Sequence, residues 1–368
     1  MGKLEIGLYD IFTRHAMKAA PLPADIYDDH IRTAVDAERM GFKYYFTIEH
    51  QSTTMSYLSA PSVYLSALAR ATTDLRFGVM CYQLPFHNPL RLAQEAAALD
   101  HLSRGRLEFG AGTGVSSFEF TRWNLPFAMR RKISEEALQV VIKAWTEDSV
   151  TFEGEFFNYA EALTTPKPFQ RPHPPIWFAA HSGPSFEFAA RLNLNVAQNL
   201  DTDATLATKF ANYRGMWEGY HHAGPRPRCF LTRNVYVAET DELAHEQAKE
   251  HVLGIGFMDP PITPAGQAVI DRRPPARPDA AQLQEGDTPE RAELRRTFQA
   301  RANNYPFWIE NGLAVVGSPD TVVRKLQEQH QRLGLDVFCA QFGFGTMSPE
   351  MVSKSLKLFG DEVLPAFR

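Results

Sequence analysis

Histidine, serine and alternating glycine, placed where short apolar runs end, are the residues whose types and spacing could do chemistry in this chain. The run Tyr44–Ile48 ends in Glu49-His50-Gln51. A histidine there either moves a proton near neutral pH or packs as a hydrogen-bonded core residue, and Glu49 suits orienting its neighbours. A later run ends Met80-Cys81-Tyr82-Gln83-Leu84-Pro85. Cys81 has no local base or cation to make it a nucleophile, so it reads as a small hydrophobe. The alternating glycines of Gly110-Ala111-Gly112-Thr113-Gly114 admit a ligand close to the backbone or serve tight turns. His181-Ser182-Gly183-Pro184-Ser185 opens a helix, where hydroxyls and backbone N–H groups hold a phosphate or simply cap the helix. Phe118, Phe120, Trp123 and Phe257 are candidates for the walls of an apolar pocket, or for core. Metal chemistry finds no support: the histidines are scattered, and no His-Glu-x-x-His occurs. No Gly-x-Ser-x-Gly elbow or Walker-type phosphate loop is present either. Glycine, aromatics and one histidine suit a site that surrounds a bound organic cofactor.

The elements that must position these residues alternate along the chain. Apolar strands are expected at Glu5–Ile11, Tyr44–Ile48, Arg76–Leu84, Arg106–Gly110, Ile176–Ala180, Val196–Asn199, Phe230–Val237 and Val337–Phe342. Helical segments separate them: Ala24–Met40, Ala60–Ala71, Leu90–Leu102, Ile133–Trp145, Ser185–Leu192, Thr205–His221, Asp241–Leu253 and Pro319–Leu333, with Pro349–Phe359 closing the chain. Thr151–Tyr159 reads as a small hairpin outside this rhythm. Uniformly apolar strands separated by helices imply a buried parallel sheet. A doubly wound sheet would want a glycine-rich turn after its first strand, and Phe12-Thr13-Arg14-His15 stands there instead. The pattern therefore predicts a (β/α)8 TIM barrel, an α/β fold, as one domain over 1–368. Phe257–Ala300, with seven prolines and mixed charges, reads as an irregular insertion or lid.

Composition bounds the partners. Of 368 residues, 44% are apolar and 22% charged, with a net charge of −5. That balance gives a sizeable core and no basic face for nucleic acid. No apolar run reaches membrane-spanning length, and the start Met1-Gly2-Lys3-Leu4-Glu5-Ile6 is unlike a secretory signal. Cys81, Cys229 and Cys339 are too far apart for a disulfide framework or metal knuckle. A soluble cytoplasmic protein is expected.

Several stretches then mark a family. Tyr45-Phe46-Thr47-Ile48-Glu49-His50 resembles the bacterial luciferase-like flavin monooxygenases, as does Gln83-Leu84-Pro85-Phe86-His87-Asn88-Pro89 with Arg91, Ala93 and Glu95. Leu99-Asp100-His101-Leu102-Ser103-Arg104-Gly105-Arg106-Leu107-Glu108-Phe109-Gly110 is the most specific stretch. Gly317-Ser318-Pro319-Asp320 and Met351–Pro365 extend the resemblance over essentially the whole chain outside the insertion.

The resemblance implies a (β/α)8 barrel that uses reduced FMN and oxygen, through a peroxyflavin, to oxidise a small organic substrate. It also implies a separate flavin reductase and a homodimer through the early helices. By motif, His50 is the catalytic histidine near the flavin. Met80-Cys81 is a non-proline cis peptide beneath the flavin ring, and Ser182 and Ser185 bind its phosphate, with Gly112, Thr113, His181 and Gly183 in the same cofactor site. Phe118, Trp123 and Phe257 are expected in the substrate pocket, and no metal is expected. Luciferases carry a second histidine at Gln51, an arginine at Thr113 and a glutamate at His181, so light emission is not expected. A protonated His181 is the candidate replacement for the missing charge. Two alternatives stand: a deazaflavin-dependent hydride-transfer oxidoreductase, and a non-catalytic flavin-binding subunit.

Overall fold

The computed structural model describes residues 2–20, 22–53, 55–253, 263–272, 300–301 and 303–368. Strands β1 (Glu5–Tyr9), β2 (Tyr44–Thr47), β3 (Arg76–Gln83) and β4 (Leu107–Gly112) alternate with helices. An antiparallel hairpin, β5 (Ser149–Glu153) and β6 (Asn158–Leu163), stands outside the main sheet. Then follow β7 (Ile176–Ala179), β8 (Asn195–Gln198), β9 (Cys229–Val237), β10 (Ala314–Gly317) and β11 (Val337–Gln341). The sheet runs β10-β9-β11-β1-β2-β3-β4-β7-β8, and β8 also pairs with β9. That second pairing closes eight parallel strands into a (β/α)8 barrel.

β10 was not foreseen. β9 is long enough to hold β11 along Phe230–Asn234 and β10 along Asn234–Val237. The extra strand therefore covers the outer half of β9 without entering the ring. The hairpin is also longer than expected at both ends. Within the expected insertion, Pro264–Asp271 is helical, and the rest, apart from Thr263, Arg272 and Ala300, lies outside the described residues.

Local chemistry explains the helix ends. The helices Pro23–Met40, Pro61–Ala71, Pro89–Ser103, Pro319–Leu333 and Pro349–Leu358 all place proline in their first turn. Proline lacks an N–H that would have no partner there. Gly41 and Gly334 end two of them in the left-handed conformation.

Alternation along the strands makes two cores. Ile6, Leu8, Tyr45 and Leu231 face the helices, whereas Tyr9, Tyr44, Phe46, Met80, Trp177, Phe230 and Cys339 fill the barrel. Below them the N-terminal mouth is plugged by polar groups. Trp177 Nε1 donates to Glu108 at 2.6 Å, and Arg76 pairs with the same carboxylate. The Arg228 guanidinium pairs with Glu5 and lies over the Tyr44 and Trp177 rings.

The most family-specific stretch, Leu99–Gly110, works at this structural end. Buried Asp100 accepts the backbone and side-chain N–H groups of Gln170, both at 2.8 Å. Arg106 donates to the carbonyls of Ala69, Thr72, Leu75 and Ser103 and to the Thr72 hydroxyl. One guanidinium thus ties two helix ends to the start of β4. A hydrogen bond to a charged group contributes roughly 1.5–3 kcal/mol, and the set is not additive, so Arg106→Ala is expected to cost about 2–4 kcal/mol in urea unfolding. Arg106→Lys should recover only part of this, having three donors on a flexible stem. A loss under about 0.5 kcal/mol, the level of an ordinary surface substitution, would show that the junction holds without it.

Candidate active site

The C-terminal ends of the barrel strands carry the polar groups. β2 runs out into Glu49, His50 and Gln51, which are 1%, 5% and 7% exposed. Glu119 arrives from the short helix Ser117–Arg122 and is fully buried. Its Oε1 accepts the Gln51 backbone N–H and the Gln83 side-chain amide, and its Oε2 faces His50 Nδ1 at 3.1 Å. An ionised carboxylate only accepts, so His50 Nδ1 must carry the hydrogen. The neutral ring then keeps its free lone pair on Nε2, which is the arrangement of a proton carrier.

Glu49 is held in the same manner. It accepts from Gln51 Nε2 at 2.7 Å, from the Gln83 backbone at 2.8 Å, and from His87 Nε2 at 2.9 and 3.0 Å. Gln83 links the two carboxylates, because its backbone N–H donates to Glu49 Oε2 while its side-chain amide donates to Glu119 and to the Glu49 backbone carbonyl. Its Oε1 is buried without a partner.

On the same side, the Met80–Cys81 peptide bond is cis. The Met80 carbonyl accepts from Tyr9 OH at 2.7 Å, and burial pushes the Tyr9 phenol well above its usual pKa, keeping it a donor. Cys81 Sγ lies against Gly112, where an added Cβ would come within 2.1 Å of the sulfur. Burial, and then the Glu49 charge, push the Cys81 thiol up to about 12, so it is no thiolate nucleophile.

β7 leads to the helix Gly183–Arg191. Its N-cap, Ser182, makes no capping bond through its side chain; its hydroxyl meets the Ser185 hydroxyl at 3.0 Å. Nothing lies within 4 Å of a Cβ built on Gly183. Thr113 is half-buried at the end of β4. Burial lowers the His181 pKa, so that ring stays neutral and is not the replacement cation. Lys209 stands nearby instead, bonded to the His181 carbonyl and to Asp201, both at 2.7 Å.

A cavity of about 220 Å³ opens across the mouth at the ends of β1, β2, β8, β9 and β11. Tyr9 lines it, which sets the cavity beside the Met80–Cys81 bond.

Two pocket candidates are not at this cavity. Ser117–Arg122 turns Glu119 and Phe120 inward, which leaves Phe118 50% and Trp123 45% exposed. Phe118 sits under Arg122, and Trp123 packs on Phe86 and donates to the Ser52 hydroxyl. Phe257 lies outside the described residues. No group of three or more histidine, cysteine or acidic side chains that could hold a metal occurs among the described residues.

The description of the luciferase-like monooxygenases matches residues 5–336. The chain belongs to the luciferase-like monooxygenase family. It is an oxidoreductase, and among the described residues no helix is long and apolar enough to cross a membrane. Among curated relatives it is 27% identical over 326 residues to the oxygenase component of a flavin-dependent trigonelline monooxygenase from Acinetobacter baylyi, covering 82% of this chain and 89% of that one. A monooxygenase from Streptomyces bottropensis superposes with a TM-score of 0.78 at 23% identity, over 99% of this chain and all of the other. The oxygenating constituent of 3,6-diketocamphane monooxygenase from Pseudomonas putida, solved with FMN, gives 0.75 at 20% identity over 99% of each chain. These two superpositions establish the shared fold.

Sequence reasoning missed Glu119 and His87 as site residues. An acid between two phenylalanines in Phe118-Glu119-Phe120 was the available signal, since such a residue is buried only with partners. For His87, burial lowers the pKa, but the Glu49 hydrogen bond and charge outweigh it, and the result lies above the usual value. The folded state therefore binds this proton more tightly than the unfolded chain. The resulting stability is fully present below about pH 6.5 and is lost as pH rises through the folded-state pKa. In urea unfolding, wild type is expected to exceed His87→Ala most near pH 5.5, about one unit below that value, and progressively less toward pH 9. A difference that grows with pH would contradict this pairing.

Proposed function

We propose that this protein is the oxygenase component of a cytoplasmic two-component system, taking reduced FMN from a separate reductase and using oxygen to oxidise a small organic substrate. The observation that carries the reading is the buried His50–Glu119 pair at the end of β2, on the same mouth of the barrel as the cavity, with the cis Met80–Cys81 bond in the neighbouring strand. The match to a protein described as an oxygenase component supports the separate reductase.

The residues fit a flavin. Open space above Gly183 and two hydroxyls that do not cap their own helix suit a phosphate. Bound FMN, when reduced, supplies the electrons that activate oxygen. The protein does the rest. Ser182 and Ser185 hold the phosphate, and the backbone at Met80–Cys81 and Gly112 supports the ring. Glu119 fixes the His50 tautomer, so that His50 Nε2 takes or returns the proton that oxygen insertion requires. Ile11, Ile48, Leu313 and Phe344 give the cavity apolar walls that exclude water. We also place a homodimer contact on the early helices, where Leu22, Tyr27 and Val63 are 60%, 38% and 74% exposed. Static light scattering should return twice the chain mass, and Val63→Lys should lower it to one.

FMN is expected to bind about tenfold tighter than riboflavin, the equivalent of one charge-assisted hydrogen bond. Removing both hydroxyls (Ser182→Ala with Ser185→Ala) should erase most of that preference. Equal titration of FMN and riboflavin by the wild type would place the phosphate elsewhere. General acid–base help is typically worth about 10²–10⁴-fold, so His50→Ala should lose turnover on that scale while FMN affinity stays within about twofold. Glu119→Gln should fall between the two. Full activity in both variants would remove His50 from the chemistry.

A further inference from the structure

The two buried carboxylates join His50 to a second histidine that reaches water. His87 follows the short turn Leu84–Phe86, and its side chain is 21% exposed. Its Nε2 donates to the Glu49 carboxylate, which has no exposure. From Glu49 two glutamines lead to Glu119. Gln51 donates its side chain to Glu49 Oε1 and its backbone N–H to Glu119 Oε1. Gln83 does the reverse, with its backbone N–H on Glu49 Oε2 and its side chain on Glu119 Oε1. Glu119 Oε2 then meets His50 Nδ1 at 3.1 Å.

The glutamine side chains also donate to backbone carbonyls, Gln51 to Ser59 and Gln83 to Glu49. All four amide hydrogens are engaged, and turning either amide would set its oxygen against a carboxylate oxygen. For Gln83 this orientation persists although it leaves Oε1 buried without a partner. An amide keeps its hydrogens near neutral pH, so no proton crosses these bridges. What crosses is charge. A neutral His87 with its hydrogen on Nε2 still donates to Glu49, so its titration changes the network by one unit of charge and leaves the hydrogen bonds in place.

The neighbours of His87 allow this. Burial lowers its pKa, but the Glu49 hydrogen bond and charge outweigh that, and Glu95 adds to them. Glu95 lies on the helix Pro89–Ser103 and is paired with Arg91 at 2.7 Å. The Tyr82 ring meets His87 edge-on. Burial pushes the Tyr82 phenol well above its usual pKa and the Cys81 thiol up to about 12, so both stay neutral. On the other side, Arg122 shares a helix with Glu119 and donates to the Ser52 carbonyl.

We propose that His87 is a positioning residue for the chemistry at His50: its charge, carried through Glu49, the two glutamines and Glu119, sets how firmly His50 holds a proton. The proposal rests on the oxygenase reading, which gives His50 its task, and adds a control outside the site.

Histidine-selective NMR of the flavin-free full chain between about pH 5 and 9 tests it, with the His50 ring assigned by its loss in His50→Gln. In the wild type the His50 signals are expected to show two inflections, one coinciding with the His87 ring. His87→Gln should move the His50 midpoint up by about half a unit, a roughly threefold gain in proton affinity, the scale of a partly screened charge several ångströms away. His87→Lys keeps a positive charge beside Glu49 over this range, so the midpoint should stay at or below the wild-type value. A packing role would move both variants alike. Equal shifts in the two variants, or no shift in His87→Gln, overturn the proposal. So does a wild-type His50 curve that follows one independent proton while His87 titrates elsewhere, a measurement that needs no substitution at His87 to fold. Oxidation of reduced FMN by oxygen, followed in stopped flow, should shift its pH dependence in the same direction in His87→Gln. Coupled titrations in a chain inert toward reduced FMN support the coupling and sink only the oxygenase reading. Flavin reactivity with independent titrations sinks only the coupling.

Discussion

Two carboxylates without access to water, Glu49 and Glu119, set the terms for the mouth of this barrel. An ionised carboxylate is expensive to bury unless donors replace its hydration. Here Gln51 and Gln83 each serve both acids through backbone and side chain, and His87 and His50 complete the two sets. The ends of β2 and β3 and the helix Ser117–Arg122 must all be in place for any one of these bonds to be correct. That mutual dependence orients His50 without requiring the histidine to pack tightly on its own.

The barrel divides its labour between its two ends. At the N-terminal mouth, Glu108, Trp177, Arg76, Arg228 and the Arg106 junction form a polar plug whose groups are occupied with one another. At the C-terminal mouth some donors and acceptors are left open: the Ser182–Ser185 pair, Gln83 Oε1 and Arg233 Nε. The contrast accounts for the strongest family signature falling on Leu99–Gly110, far from the chemistry. That stretch keeps the cylinder closed, and a closed cylinder holds the opposite mouth in register. Stability and reactivity are thus carried by different ends of the same strands.

Much of the fold was legible because its signals are local. The helices Asp241–Leu253 and Pro319–Leu333 begin and end at the residues expected, the second with proline in its first turn and Gly334 at its end, and the eight barrel strands appear as apolar runs. β10 escaped because four residues, Ala314–Gly317, carry too little pattern to separate a strand from a linker, and its partner is only half of β9. The aromatic segment before Arg131 misled in another way. Phe118, Phe120 and Trp123 are alike in hydrophobicity, yet one short helix buries only Phe120. Which face turns inward was settled by Glu119, the residue in the segment with the most to lose from an unsatisfied position.

The sequence by itself determined the order and kind of the elements, the parallel barrel, and the small set of polar residues at strand ends, including His50, Ser182 and Ser185. Those follow from backbone preferences and periodicity, which act over a few residues. Tertiary structure alone decided that Glu119 would stand against His50, 69 positions away, that burial would lower the His181 pKa, and that Arg14 and Arg233 would line the same cavity. Charge, tautomer and pocket shape depend on which distant groups closure brings within a few ångströms and how much water it removes. Neither quantity is written in any short stretch of the chain.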